Sequence, residues 1–151
     1  MTEKIERELD QRKFRNEKHK AVVNLVYTYN MISERLQEIF SRENLTMQQF
    51  NILRILRGNH PEPCTNSHVK ERMLDKNSDV TRIVDRLIKR GLVERCSSEK
   101  DRRKVAISIT AKGLEALSRL DDYKHQEDAI MDNLTDEQVA LLNSLLDELR
   151  G

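Results

Sequence analysis

The chain is short of the residues that most non-helical small folds depend on. Its 151 residues include four glycines, two prolines, two cysteines and no tryptophan. So few turn formers argue against a many-stranded β protein and against a low-complexity linker. Cys64 and Cys96 are too few for a disulfide framework, and a reducing cytoplasm is the simplest expected setting. No apolar run approaches the ~18 residues of a membrane span. Residues 1–16 alternate charges without an apolar core stretch, so no secretory signal is expected there. Also missing are a Walker loop, a dinucleotide fingerprint, a nucleophile elbow and a His-Glu-x-x-His run, and the reading is not an enzyme. His19, His60, His68 and His125 are scattered without ligand spacing, and no metal or other cofactor is expected.

Charge is what the chain has in quantity. Charged residues make up 35% and hydrophobic ones 37%, which predicts a modest core under a heavily charged surface. The net charge of +1 hides a segregation. From Thr65 to Lys104 twelve Lys and Arg face seven Asp and Glu, whereas from Asp121 to Gly151 two face nine. A basic middle and an acidic tail suggest a polyanion-facing surface and a separate part that avoids it, although two solvated faces would give the same count.

Apolar positions from Val22 to Phe40 recur at three- and four-residue steps and predict a long helix from Lys13 or Glu17 to Arg42. Thr46 with Gln49 has capping-box spacing, so a second helix starts there and stops at Gly58 to Pro63. Thr65, Asn66 or Ser67 can cap a short third helix carrying Val69, Met73 and Leu74. After a turn and new cap at Asp75 to Ser78, a fourth helix carries Val80, Ile83, Val84, Leu87 and Ile88, and Gly91 ends it. Leu92 to Cys96 and Val105 to Ile109 read as two strands with a polar tip between them. Thr110 caps a fifth helix running to about Asp132. Thr135 and Gln138 form a second capping box before a last, leucine-rich helix.

Two helices joined by a tight turn and followed by a hairpin form a winged helix-turn-helix, which puts its second helix in the major groove. The fold expected is therefore mainly α with a small β-hairpin. Opposite its apolar stripe the fourth helix carries Ser78, Asp79, Arg82, Asp85, Arg86 and Lys89, with Thr81 on the flank. Arg82 and Arg86 are one turn apart, and Arg can pair with guanine edges or phosphate. Ser78 and Thr81 sit where short hydroxyls and free amides meet phosphates. In the bland alternative Asp85 merely pairs with Arg82 and Lys89 on a solvated face. The hairpin tip holds Lys100, Asp101, Arg102, Arg103 and Lys104. An Arg there suits an A·T-narrowed minor groove, and Asp101 can hold the Arg103 guanidinium in place. An ordinary charged turn remains the alternative.

The run from Asn77 to Arg95 resembles the recognition helix and first wing strand of the MarR family of bacterial and archaeal transcription regulators. Asp101-Arg102-Arg103 resembles that family's Asp-x-Arg wing motif, and Ile109-Thr110-Ala111-Lys112-Gly113 its Leu-Thr-x-x-Gly segment. The resemblance implies a ligand-responsive repressor acting as a homodimer on a pseudo-palindromic stretch of double-stranded DNA. It divides the chain into a DNA-binding lobe, residues 45–109, and a helical dimerisation region, residues 1–44 and 110–151. It also implies that Arg103 enters the minor groove braced by Asp101, and that Thr65, Asn66 and Ser67 lie near phosphates. His68, at the same helix start, is a polar surface residue or a further phosphate contact. Independently, Leu141, Leu142, Leu145, Leu146 and Leu149 make the last helix apolar on more than one side, which a monomer should not leave in water.

Sensing is less legible. Family members often release DNA on binding a small aromatic effector, and Tyr27, Tyr29, Met31, Met47 and Phe50 are the residues here that suit such a crevice, or simply a core. Cys64, just before a helix start, is placed where a thiolate is favoured, so a thiol switch at Cys64 or Cys96 is a further reading, although both more often serve as inert small hydrophobes. A winged helix used only for protein contact is another, but it leaves the cationic tip, Arg82 and Arg86 unexplained.

Overall fold

The predicted caps at Thr46, Thr110 and Thr135 are present in the computed structural model, which describes residues 4–97 and 105–151, whereas the fourth helix is capped by Asp79, one residue past the expected Asp75–Ser78. A short helix α1 (Lys4–Glu8), not foreseen from the sequence, precedes α2 (Glu17–Phe40). A 3₁₀ turn, Ser41–Glu43, follows, and Asn44 takes a left-handed conformation at φ 54°. Thr46 then caps α3 (Met47–Asn59): its hydroxyl accepts from the Gln49 amide at 3.1 Å while the Gln49 side chain accepts from the Thr46 amide at 3.0 Å. Of the three candidate caps for α4 (Asn66–Arg72), the chain uses Thr65, which accepts from His68 N–H at 3.1 Å. Asp79 caps α5 (Val80–Lys89), and Gly91, at φ 72°, turns the chain out of it.

Strands β2 (Val93–Ser97) and β3 (Val105–Ile109) pair antiparallel, with Val93 opposite Ile109 and Ser97 opposite Val105. A two-residue strand β1 (Cys64–Thr65) adds to the other edge of β3, so the hairpin is part of a three-stranded sheet of order β1-β3-β2. Thr110 caps α6 (Ala111–Asp121) and also donates to Gly91 O at 2.6 Å, joining the end of the α5 turn to the start of α6. The fifth helix was expected to run on to Asp132; it stops at Asp121, and α7 (Lys124–Asp128) and a 3₁₀ turn at Ala129–Met131 follow. No Pro or Gly marks that break. Tyr123, beside it, lies under the Arg42 guanidinium at 4.2 Å, a tertiary contact no local pattern reveals. The last helix, α8 (Asp136–Arg150), starts at the Thr135–Gln138 capping box.

The chain divides into two compact units between Leu36 and Gln37, within α2. In the first, Glu6 pairs with Lys20, and Phe14 meets the His19 ring edge-on at 5.7 Å. In the second, Ile52, Leu53, Leu56, Val69, Met73, Val84, Leu87, Ile107 and Leu117 are almost wholly buried and form the core beneath α5 and the sheet. Gly113 is required at the α6 start, because a Cβ there would stand 2.4 Å from the Leu92 carbonyl oxygen. Leu74 departs from expectation. Helix α4 ends at Arg72, and Leu74 projects into solvent while its amide donates to Asn51 Oδ1 at 2.9 Å.

Candidate nucleic-acid interface

Helix α5 is positioned by its apolar stripe. Val80, Val84 and Leu87 are buried, and helical spacing then turns Thr81, Arg82, Arg86 and Lys89 outward, where all four are exposed. The Asp79 carboxylate accepts from the Arg82 amide at 3.2 Å and so serves the helix itself. Arg82 and Arg86 stand one turn apart on the open face, as the sequence indicated.

Two details differ from expectation. Ser78 was assigned to the outward face; it instead lies before the helix, 5% exposed, with its hydroxyl buried. Asp85 pairs with neither Arg82 nor Lys89. Its carboxylate takes Arg95 of β2 in an ion pair, fastening the helix to the first wing strand. Arg95 was counted only as a cation in the sequence. The signal that identifies it is opposite charge on either side of a helix-Gly-strand turn, which brings positions ten residues apart together.

The residues expected near phosphates fall around one cleft. Asn66, Ser67 and Lys70 of α4 face Asn77, Ser78, Asp79, Val80 and Thr81 across about 410 Å³. Thus two groups proposed separately, the start of α4 and the start of α5, meet at one place. Lys70 and Val80 belong to this lining and were not among the expected site residues. Thr65 and His68 stand beside it, Thr65 with its hydroxyl already engaged as the helix cap. The wing-tip residues Lys100, Asp101, Arg102, Arg103 and Lys104 lie outside the described residues.

The remaining candidates are placed as follows. Tyr27, Tyr29 and Met31 are exposed on α2 in the first unit. Met47 and Phe50 belong to the second, where Phe50 stacks on the buried Phe40 at 4.0 Å, a core contact. On α8, Leu141, Leu145 and Leu149 are exposed, Leu142 and Leu146 are half-buried, and no α8 residue is buried. Cys64 is 3% exposed, and burial pushes its thiol above the ordinary value against the pull of Arg72 and Asn59. That suits the small buried hydrophobe rather than a thiolate. Cys64 sits beside Ile107 and Cys96 beside Ala106, so the two thiols leave opposite faces of β3 with that strand between them. Two strand spacings are about 9–10 Å, too far for the ~7 Å limit of a disulfide within the chain. Among the described residues no group of His, Cys, Asp and Glu is gathered to hold a metal ion, and no helix is long and apolar enough to cross a membrane.

A cationic helix lodged on a packed core beside a hairpin defines a winged helix-turn-helix DNA-binding protein. Comparison with known proteins carries this further. The MarR family model matches residues 45–105. The HTH-type transcriptional regulator PecS of Dickeya dadantii is 30% identical over 118 residues, covering 77% of this chain and 71% of that protein. A MarR transcription factor from Planctomyces limnophilus, 32% identical, superposes at TM-score 0.67 over 89% of this chain and 98% of its own. A mutant MarR of Escherichia coli solved with operator DNA, at 24% identity, shares the fold at TM-score 0.80 over 91% of this chain and 98% of its own. The chain belongs to the MarR family of transcriptional regulators. Its relatives are regulators rather than enzymes.

Proposed function

We propose that this protein acts in the cytoplasm as a homodimer that binds a pseudo-palindromic operator and represses transcription until a small aromatic effector releases it. One observation carries the reading: α5 buries Val80, Val84 and Leu87 and presents Thr81, Arg82, Arg86 and Lys89 together. On this reading each α5 enters a major groove, two such helices stand ~34–36 Å apart, and Arg103 of each wing, braced by Asp101, enters the flanking minor groove. The cleft between the starts of α4 and α5 rides on the phosphates, with Asn66, Ser67 and Lys70 as donors. Residues 45–109 form the reading lobe, and residues 1–44 and 110–151 join the subunits through the exposed leucines of α8. Effector contact on this reading draws on Tyr27, Tyr29 and Met31, which are exposed on α2.

The test is fluorescence anisotropy on the DNA upstream of the protein's own gene, with an unrelated duplex as control and several salt concentrations. A dissociation constant of ~10⁻⁸ M or tighter with about a thousandfold preference is expected. Equal, salt-sensitive binding to both duplexes keeps the DNA-binding surface and moves the operator elsewhere. No binding to either overturns the reading in favour of a protein-contact module.

A further inference from the structure

The far end of α5 is held by a residue that the charge count treats as one more cation. Arg90 follows the last residue of α5, and its amide donates to Arg86 O. Its guanidinium reaches the turn after α2. Nη1 donates to the Asn44 carbonyl at 2.7 Å and Nη2 to the Glu43 carbonyl at 3.1 Å. The same turn is gripped from α6, where Arg119 Nε and Nη2 donate to the two Glu43 carboxylate oxygens at 2.7 and 3.0 Å. Lys112, also on α6, closes the loop by donating to the Arg90 carbonyl at 2.8 Å. All these residues lie in the second unit.

We infer that Arg90 is a positioning residue for base recognition: its fork fixes the C-terminal end of α5 against the Glu43–Asn44 turn and so sets the pitch at which Arg82 and Arg86 meet the bases. The inference rests on the DNA-binding reading above. Ten helical residues span about 15 Å, so a tilt of about 5° displaces one end by roughly 1 Å. Directional contacts tolerate about 0.5 Å. The buried stripe Val80-Val84-Leu87 and the Asp79 cap seat the helix, and the Asp85–Arg95 pair ties its outer side to β2. Arg90 adds a directional tie at the C-terminal end, where Thr110 also donates to Gly91 O. Two adjacent carbonyls need a planar fork, which a Lys ammonium does not offer. The left-handed Asn44, φ 54°, is what turns both carbonyls into one place.

In the test, the wild-type protein first selects its preferred duplex from a random-sequence pool. If it enriches no sequence, the proposed function fails, and this inference fails with it. If it does, Arg90→Lys and Arg90→Gln are titrated against the selected duplex and an unrelated one of equal length across a salt series. Affinity for the selected duplex is expected to fall about five- to thirtyfold, the order of one lost base contact. For Arg90→Lys, affinity for the unrelated duplex and the salt slope stay unchanged. Hydrogen exchange at Asn44 and Leu45, whose amides donate to Ser41 O and Phe40 O at 3.0 and 3.1 Å, should quicken, while the amides of Ile52 to Leu56 keep their protection. Arg119→Ala loosens the same turn from α6 and should move these readouts the same way by less, which keeps the test open if the Arg90 variants do not melt cooperatively. A loss shared equally by both duplexes, with the salt slope of Arg90→Gln reduced by about one phosphate contact, makes Arg90 a phosphate ligand and overturns the inference. An unchanged preference in a cooperatively melting variant overturns it too.

Discussion

Helices α5 and α8 are both amphipathic, both begin at a side-chain cap, and both belong to the same compact unit. They differ in what the rest of the chain does for them. The apolar stripe of α5 is satisfied from within, since Val80, Val84 and Leu87 are buried, and what remains outside is cationic. In α8 nothing is buried, and what remains outside includes Leu141 at 58%, Leu145 at 53% and Leu149 at 67% exposure. A helix can be completed only by what its leftover surface attracts. The α5 remainder calls for a polyanion, and the α8 remainder calls for another apolar surface. A self-complementary second copy is the economical source of such a surface.

The most disruptive way to break this comparison is to give α8 the character of α5. Leu145→Asp places an uncompensated charge where two α8 faces should meet, and such a burial costs about 3–5 kcal/mol. Sedimentation should show a monomer at concentrations where the wild type is expected to be a dimer, and preference for the operator should collapse. A variant that still sediments as the wild type would remove α8 from the interface.

Next in size are the arginines. Arg82→Ala removes a side chain that the proposed docking directs at base edges and should cost about 1–3 kcal/mol while relaxing the preferred sequence at one position per half-site. Arg103→Ala should weaken binding to all duplexes more evenly. Titration of both variants on matched and single-substituted duplexes separates the two behaviours. If neither alters affinity at physiological salt, the docking geometry proposed here is wrong.

That so much of α5 was legible in advance, and less of its surroundings, has a physical cause. Capping boxes at Thr46 and Thr135, the glycine exit at Gly91 and the stripe Val80-Val84-Leu87 are local chemistry, written within four residues of where they act. Strand β1 is two residues long and exists only because Cys64 and Thr65 meet Ile107 and Ala106 more than forty positions later. The Asp85–Arg95 pair and the Tyr123 break are likewise tertiary. Arg90 left no signal at all, since its partners are backbone carbonyls that every residue type carries. Ser78 was misjudged because helical spacing was extended one residue beyond the actual cap, Asp79.

That cap gives a prediction with two signs. Asp79→Ala frees the Arg82 amide and should lower stability by about 1 kcal/mol. It also removes a carboxylate from the surface that the proposed docking sets against phosphates, so affinity for unrelated DNA should rise while the melting temperature falls. A fall in both would mean that Asp79 is needed at the interface for more than the cap.

The smallest effect tests the part of the unit that answers to neither helix. Arg57 of α3 donates to Asp121 of α6 at 2.9 Å, and Lys124 adds a contact at 3.3 Å. Burial opposes ionisation of Asp121, but the hydrogen bonds from Arg57 and Lys124 outweigh it and hold the carboxyl below the ordinary value of 3.8. A carboxyl depressed in the folded state contributes stability above its unfolded pKa and loses it as pH falls through the folded one. The side chain is 37% exposed, so solvent screening limits the contribution to less than about 1 kcal/mol. The deficit of Asp121→Asn relative to wild type should therefore be full near pH 7 and shrink below about pH 4. Denaturant melts at about pH 7 and pH 2.5 measure it. A deficit that does not change with pH would mean that Asp121 joins α3 to α6 by shape and neutral hydrogen bonding. DNA affinity of the variant at neutral pH should equal the wild type's, because this pair belongs to the frame on which α5 is mounted and presents nothing to the groove.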